Sequence, residues 1–111
     1  MQKKDGQWIR AKGFDTFCPL GPWIETEFKP GFQKIITELN GEVKQSEPIS
    51  SMIFNIPTIV EFVTSVMTLL PGDVILTGTP AGIGPMPANA QISVTIEGIG
   101  TLTNKVSPRA K

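Results

Sequence analysis

Lys12 stands in the middle of Trp8-Ile9-Arg10-Ala11-Lys12-Gly13-Phe14-Asp15-Thr16-Phe17-Cys18-Pro19-Leu20-Gly21-Pro22-Trp23, a stretch otherwise dominated by apolar, aromatic, glycine and proline residues. Lysine is seldom fully buried without a partner, because an ammonium leaves water only at a cost that something negative must offset. In this setting it serves as a solvent-reaching anchor, a Schiff-base nucleophile, or a fixed positive charge beside acidic groups. A second stretch, Leu69-Leu70-Pro71-Gly72-Asp73-Val74-Ile75-Leu76-Thr77-Gly78-Thr79-Pro80-Ala81-Gly82-Ile83-Gly84, runs from a turn through an apolar segment into a Gly/Thr/Pro loop. There the Thr79 hydroxyl can donate to an anionic oxygen while Gly78 lets backbone approach; the plainer alternative is a hydroxyl that satisfies its own loop. Glu25 and Glu27 offer a Glu-x-Glu pair of the kind that hard divalent ions take. A solvated strand face is the preferred reading of that pair, since period two places both carboxylates on one side of an extended segment. Histidine and tyrosine are absent altogether. Any chemistry must therefore run on carboxylates, lysine, hydroxyls and backbone, without His-based acid–base catalysis or Ser-His-Asp triads.

The elements that must position these residues are legible in part. Phe32 to Ser46 alternates around Asn40-Gly41, a pair suited to the positive φ angles of a type I′ turn, and predicts a β-hairpin. Asn55 to Leu70 changes period: Ile56, Ile59, Val60, Val63, Met67 and Leu70 fall on one helical face. Asn55 is the expected N-cap, Pro57 fits the first turn, and Pro71-Gly72 is the expected stop. Its many β-branched residues lower helix propensity, so this helix must be held by packing and serves as core support; Glu61 on it reads as solvated. Asp73 to Leu76 reads as a short strand buried on both faces, followed by an irregular loop rich in Gly and Pro. Gln91 to Glu97 points Ile92, Val94 and Ile96 inward and Ser93, Thr95 and Glu97 outward. Gly98-Ile99-Gly100 then turns the chain into Thr101 to Val106, a second hairpin, and residues 107–111 form a basic tail.

With 111 residues a single domain is expected. Acids and bases balance at ten each, which argues against a nucleic-acid or anionic-membrane partner. No apolar run approaches the roughly 20 residues of a membrane span, and no leader is expected. The lone Cys18 excludes an internal disulfide, suits a reducing cytoplasm, and reads as a small apolar core residue.

Taken together, Lys-Gly-Phe-Asp-Thr-Phe-Cys-Pro-Leu-Gly-Pro-Trp followed by Pro-Gly-Asp-Val-Ile-Leu-Thr-Gly-Thr-Pro-Ala-Gly resembles the C-terminal half of the fumarylacetoacetate hydrolase family. The resemblance runs from Gln2 to about Val106 and includes the closing Ile96-Glu97-Gly98-Ile99-Gly100-Thr101-Leu102-Thr103-Asn104. It implies an α+β, mostly β fold: the C-terminal half of a mixed β-roll, with two hairpins, a buried strand and one supporting helix over residues 1–106, and a tail at 107–111. It also implies that the chain begins in mid-domain, just after the family's Asn-Asp-x-x-Ala-Arg-Asp motif. Family members act on small β-keto or 2-keto acids with Mg²⁺ or Mn²⁺, by C–C bond hydrolysis, decarboxylation or isomerisation. By the same match Lys12 is the catalytic lysine beside the metal, and Thr16 is a second metal-adjacent position. Gln2, Gly78 and Thr79 then contact substrate. Asp15, the nearest acid to Lys12, stays outside the implied site, because the family does not always carry an acid there. The metal-binding carboxylates and the His/Glu acid–base pair of many members lie before Gln2. The chain alone is therefore expected to be inactive and to bind no metal tightly. It should associate as a homo-oligomer (a dimer) or with the missing N-terminal half; the alternative is a truncated, non-catalytic oligomerisation or structural module. One departure from the pattern is Ala88-Asn89-Ala90, where the family usually has Gly-Asp in the turn.

Overall fold

Residues 12–108 are described by a computed structural model. The Asn40-Gly41 turn forms as its residue types require, with φ of 51° and 80° and the primed geometry that matches strand twist. It joins β1 (Lys34–Leu39) to β2 (Glu42–Pro48). The Asn40 side chain also accepts the Gln91 N–H at 2.9 Å, and the Asn40 N–H donates to the Gln91 carbonyl at 2.8 Å. The turn is thereby locked to β3 (Gln91–Ile96), which pairs with β4 (Gly100–Lys105) in the second expected hairpin. All pairings are antiparallel, and the strands lie in the order β2-β1-β3-β4.

Register places Ile35 opposite Ile96, Thr37 opposite Val94 and Leu39 opposite Ile92, with Val94 opposite Leu102 on the other side. These residues make one face apolar. The opposite face carries hydroxyl pairs, Ser93 with Thr103 at 2.9 Å and Thr95 with Thr101 at 2.8 Å. The two sets of β3 fall on opposite faces as the alternation predicts, but Ser93 and Thr95 are half-buried like Ile92, Val94 and Ile96. In the Ala88-Asn89-Ala90 turn, Asn89 takes the left-handed conformation at φ 65°, a region its short polar side chain tolerates. The turn closes through the Asn89 N–H to the Val106 carbonyl and the Val106 N–H to the Ala90 carbonyl.

Helix α1 (Ile56–Val66) begins as expected. Asn55 Oδ1 accepts the Thr58 N–H at 2.9 Å and the Thr58 hydroxyl at 2.8 Å, and Pro57 sits in the first turn. It stops at Val66, not Leu70. Thr64 and Ser65 bond back to the carbonyls of Val60, Glu61 and Phe62, a contact that weakens helices, and Met67 turns extended at φ −151°. Leu70 and Asp73 then close their own turn, the Leu70 N–H donating to Asp73 Oδ2 and the Asp73 N–H to the Leu70 carbonyl.

Four expectations need correction. The helix has no buried residue, so it is not core support within this chain; Phe62 is 69% exposed. Residues 73–76 form no strand, and Leu76 is 76% exposed. A strand exists only through neighbours, and neither sheet edge, β2 nor β4, pairs with this segment. Residues 23–28 are likewise unpaired, and Glu25 Oε1 instead accepts the Glu27 N–H at 2.8 Å, bending the chain. Cys18 is exposed, not a core residue, because its loop runs outside the sheet. Among the described residues Ala90 is the one buried hydrophobic, and no helix is long and apolar enough to cross a membrane.

Candidate functional site

The apolar face of the sheet is where loops gather. A groove of about 470 Å³ opens over Thr37, Leu39 and Ile92, walled by Thr79 and by residues 82–87. A second, of about 420 Å³, lies over Val94, Ile96 and Leu102 beneath Pro19 to Pro22. Met86 and Ile92 border both. The 19–23 segment is held there by Trp23, whose indole N–H donates to the Ile99 carbonyl at 3.1 Å. The same ring covers Gly100, where any Cβ would overlap it.

Thr79 is on the rim of the first groove because a β-bulge in β2 reaches for it. Thr37 pairs with Gln45 but Glu38 pairs with Val43, so Lys44 is the extra residue. A bulge breaks strict alternation and re-aims side chains; here Lys44 and Gln45 both line the groove. The Gln45 Nε2 donates to Thr79 Oγ1 and to the Pro80 carbonyl, each at 2.8 Å. Gly82, at φ 103°, packs so tightly on the Lys44 carbonyl that a Cβ would collide with it. Gly78, at φ 98°, has open space around it; its glycine is needed for backbone conformation rather than for room. Lys44 pairs with Glu42 at 2.8 Å on the exposed side.

Of the residues nominated from sequence, the structure brings Thr79 to the groove with Gly78 immediately before it. Lys12 and Thr16 sit on a different segment that lines neither groove. Lys12 is exposed with helical backbone. Thr16 occupies the third position of a turn closed by the Phe17 N–H to the Phe14 carbonyl at 3.1 Å. Its φ is 67°, a conformation a β-branched residue holds only against strain of about 1–3 kcal/mol. Gln2 lies outside the described residues. Gln45 was missed from sequence, because on an alternating hairpin it reads as one more solvent-facing polar residue. A bulge is invisible without its partner strand.

The residues described do not make a metal site by themselves. No group of three or more His, Cys, Asp or Glu side chains comes together among them. An ammonium has no lone pair to give, and a threonine hydroxyl alone is a poor set of donors for a divalent ion.

Comparison with known proteins identifies the family. The family model described as fumarylacetoacetate (FAA) hydrolase C-terminal matches residues 1–107. A crystal structure of 2-hydroxyhepta-2,4-diene-1,7-dioate isomerase from Mycobacterium marinum superposes with a TM-score of 0.94 at 59% identity, over 99% of this chain and 44% of that one. Human mitochondrial oxaloacetate tautomerase is 41% identical over 107 residues, covering 95% of this chain and 48% of that protein. Maleylpyruvate hydrolase of Sphingobium, crystallised with manganese(II) and pyruvate, is 35% identical at a TM-score of 0.81, over 85% of this chain and 37% of that one. The chain thus spans less than half the length of each of these relatives, whose names cover isomerase, tautomerase and hydrolase activities. With the motif, the sheet and the relatives in agreement, this chain belongs to the fumarylacetoacetate hydrolase family and corresponds to its C-terminal part.

Proposed function

We propose that the chain supplies the lysine-and-threonine side of a site for small β-keto or 2-keto acids, in an enzyme performing C–C hydrolysis, decarboxylation or isomerisation in the cytoplasm. The observation that carries the reading is Thr79, held by Gln45 on the rim of a groove of about 470 Å³ whose floor is apolar. A keto acid presents only acceptor oxygens. The Thr79 hydroxyl donates to one of them while the backbone at Gly78 stands clear; the Lys12 ammonium, which lines neither groove in this chain, is assigned by the family match to neutralise the anion in the whole enzyme. Gln2, through its amide, and Thr16, beside Lys12, complete this side. Lys12 catalyses by holding charge: as negative charge gathers on the substrate oxygen, a fixed cation favours that state over the ground state. The carboxylates that hold Mg²⁺ or Mn²⁺ are placed outside this chain, so the chain alone neither turns over substrate nor holds metal tightly.

The test joins this chain behind the leading portion of the Mycobacterium marinum isomerase and measures turnover of oxaloacetate and of acylpyruvates. Lys12→Met and Thr79→Val should each lower kcat/KM by about tenfold or more, the worth of one charge-assisted hydrogen bond. Wild-type rates in both variants would sink the reading. Isothermal titration of the unjoined chain with Mg²⁺ should show no micromolar binding. A second reading, a non-catalytic oligomerisation module, is favoured by the exposed apolar side chains; it predicts a fusion that assembles but never turns over.

A further inference from the structure

We propose that Gln45 is a positioning residue: it makes the Thr79 oxygen an acceptor on the protein side, so that the hydroxyl proton is left to point into the groove. The inference rests on the reading of Thr79 as a ligand-binding group and adds what orients its proton.

The chemistry of the partners fixes the orientation of the Gln45 carboxamide. Its Nε2 lies 2.8 Å from the Pro80 carbonyl oxygen, which can only accept. The nitrogen end must therefore face Pro80, and its second N–H goes to Thr79 Oγ1, also at 2.8 Å. A hydroxyl has one proton and two lone pairs. With one lone pair taken from the β2 side, the proton turns away from that donor. Among the described residues, Thr79 makes no other hydrogen bond. The groove lies beside it, and what it offers there is the proton and one remaining lone pair.

Two further features make the arrangement stiff. The bulge at Lys44 brings Gln45 onto the groove side of β2. Gly82 then lets the loop approach the Lys44 carbonyl closely enough for the carboxamide to span the gap. A site built this way presents its proton to ligands that offer an unprotonated oxygen, a carboxylate or a keto group.

The experiment titrates oxalate into the fusion described above, in buffer with Mn²⁺, for wild type, Thr79→Val, Gln45→Met, Gln45→Glu and the Gln45→Met/Thr79→Val double variant. Thr79→Val should weaken oxalate by about tenfold or more. Gln45→Met should weaken it several-fold, and the double variant should be no weaker than Thr79→Val, because both remove the same directed proton. Gln45→Glu, close to isosteric, should be worse than Gln45→Met, since a carboxylate takes the Thr79 proton for itself. Losses that simply add, or a Gln45→Met variant that binds as wild type while Thr79→Val does not, overturn the role of Gln45 alone. A Thr79→Val variant that binds as wild type, or a fusion that never binds oxalate, overturns the functional reading and this inference with it. On the unjoined chain, the side-chain amide protons of Gln45 supply an independent readout. One of the two must shift in Thr79→Val, and a pair unmoved by that change also overturns the proposal.

Discussion

Positive φ angles at Gly82 and Thr16 have different physical origins. Gly82 is there because two backbones meet: at φ 103° its Cα rests against the Lys44 carbonyl, and no side chain fits. Gly82→Ala combines a steric collision with an unfavourable backbone region, so it should lower stability by about 1–3 kcal/mol. Urea unfolding should read that loss, and the Gln45–Thr79 amide signal should vanish with it; an unchanged midpoint would show that the loop is not clamped to β2. Thr16, by contrast, has an unfavourable conformation at φ 67° that glycine would relieve. The motif reading nominated Lys12, Thr16 and Thr79 because their residue types are distinctive. It passed over Gln45, whose importance comes only from where a bulge points it.

Among the elements, the hairpins and the helix start were legible because their signals are local. Asn40-Gly41 encodes its own turn, and Asn55 caps the helix from three residues away. Asn55→Ala should therefore cost about 1 kcal/mol. With so little packing to hold α1 in this chain, that loss should appear as reduced helical circular dichroism with the sheet signal intact. A helical signal that stays at the wild-type level would mean that tertiary contacts, not the cap, hold the helix. The helix end was expected at Pro71-Gly72 but came earlier, where Thr64 and Ser65 bond back and Met67 turns extended; the segment 73–76 was expected as a strand because burial was assumed. An apolar run such as Val74-Ile75-Leu76 encodes a preference to be covered, but which neighbour covers it is decided elsewhere.

At the scale of the molecule, the sheet has one apolar face only partly roofed by loops, and large side chains stand in solvent, Ile53 at 92%, Phe32 at 87% and Phe62 at 69%. Exposed apolar surface on this scale marks an interaction surface, and open edges at β2 and β4 add to it. The chain should therefore sediment above its monomer mass or bind a hydrophobic dye strongly, and addition of the leading segment of the Mycobacterium marinum isomerase should suppress the dye signal. A stable monomer that ignores both the dye and the leading segment would refute this.

By itself the sequence determined the turns, the strand alternation, the helix cap and the family, since each depends on residues a few positions apart or on a continuous motif. The tertiary structure alone decided that a bulge opposite Thr37 turns Gln45 toward Thr79, that Gly82 lies on the Lys44 carbonyl, and that the helix and residues 73–76 remain uncovered. Those facts concern residues more than thirty positions apart, or surfaces whose burial needs a neighbour. Hydrophobic patterning records that a residue seeks cover without recording what supplies it.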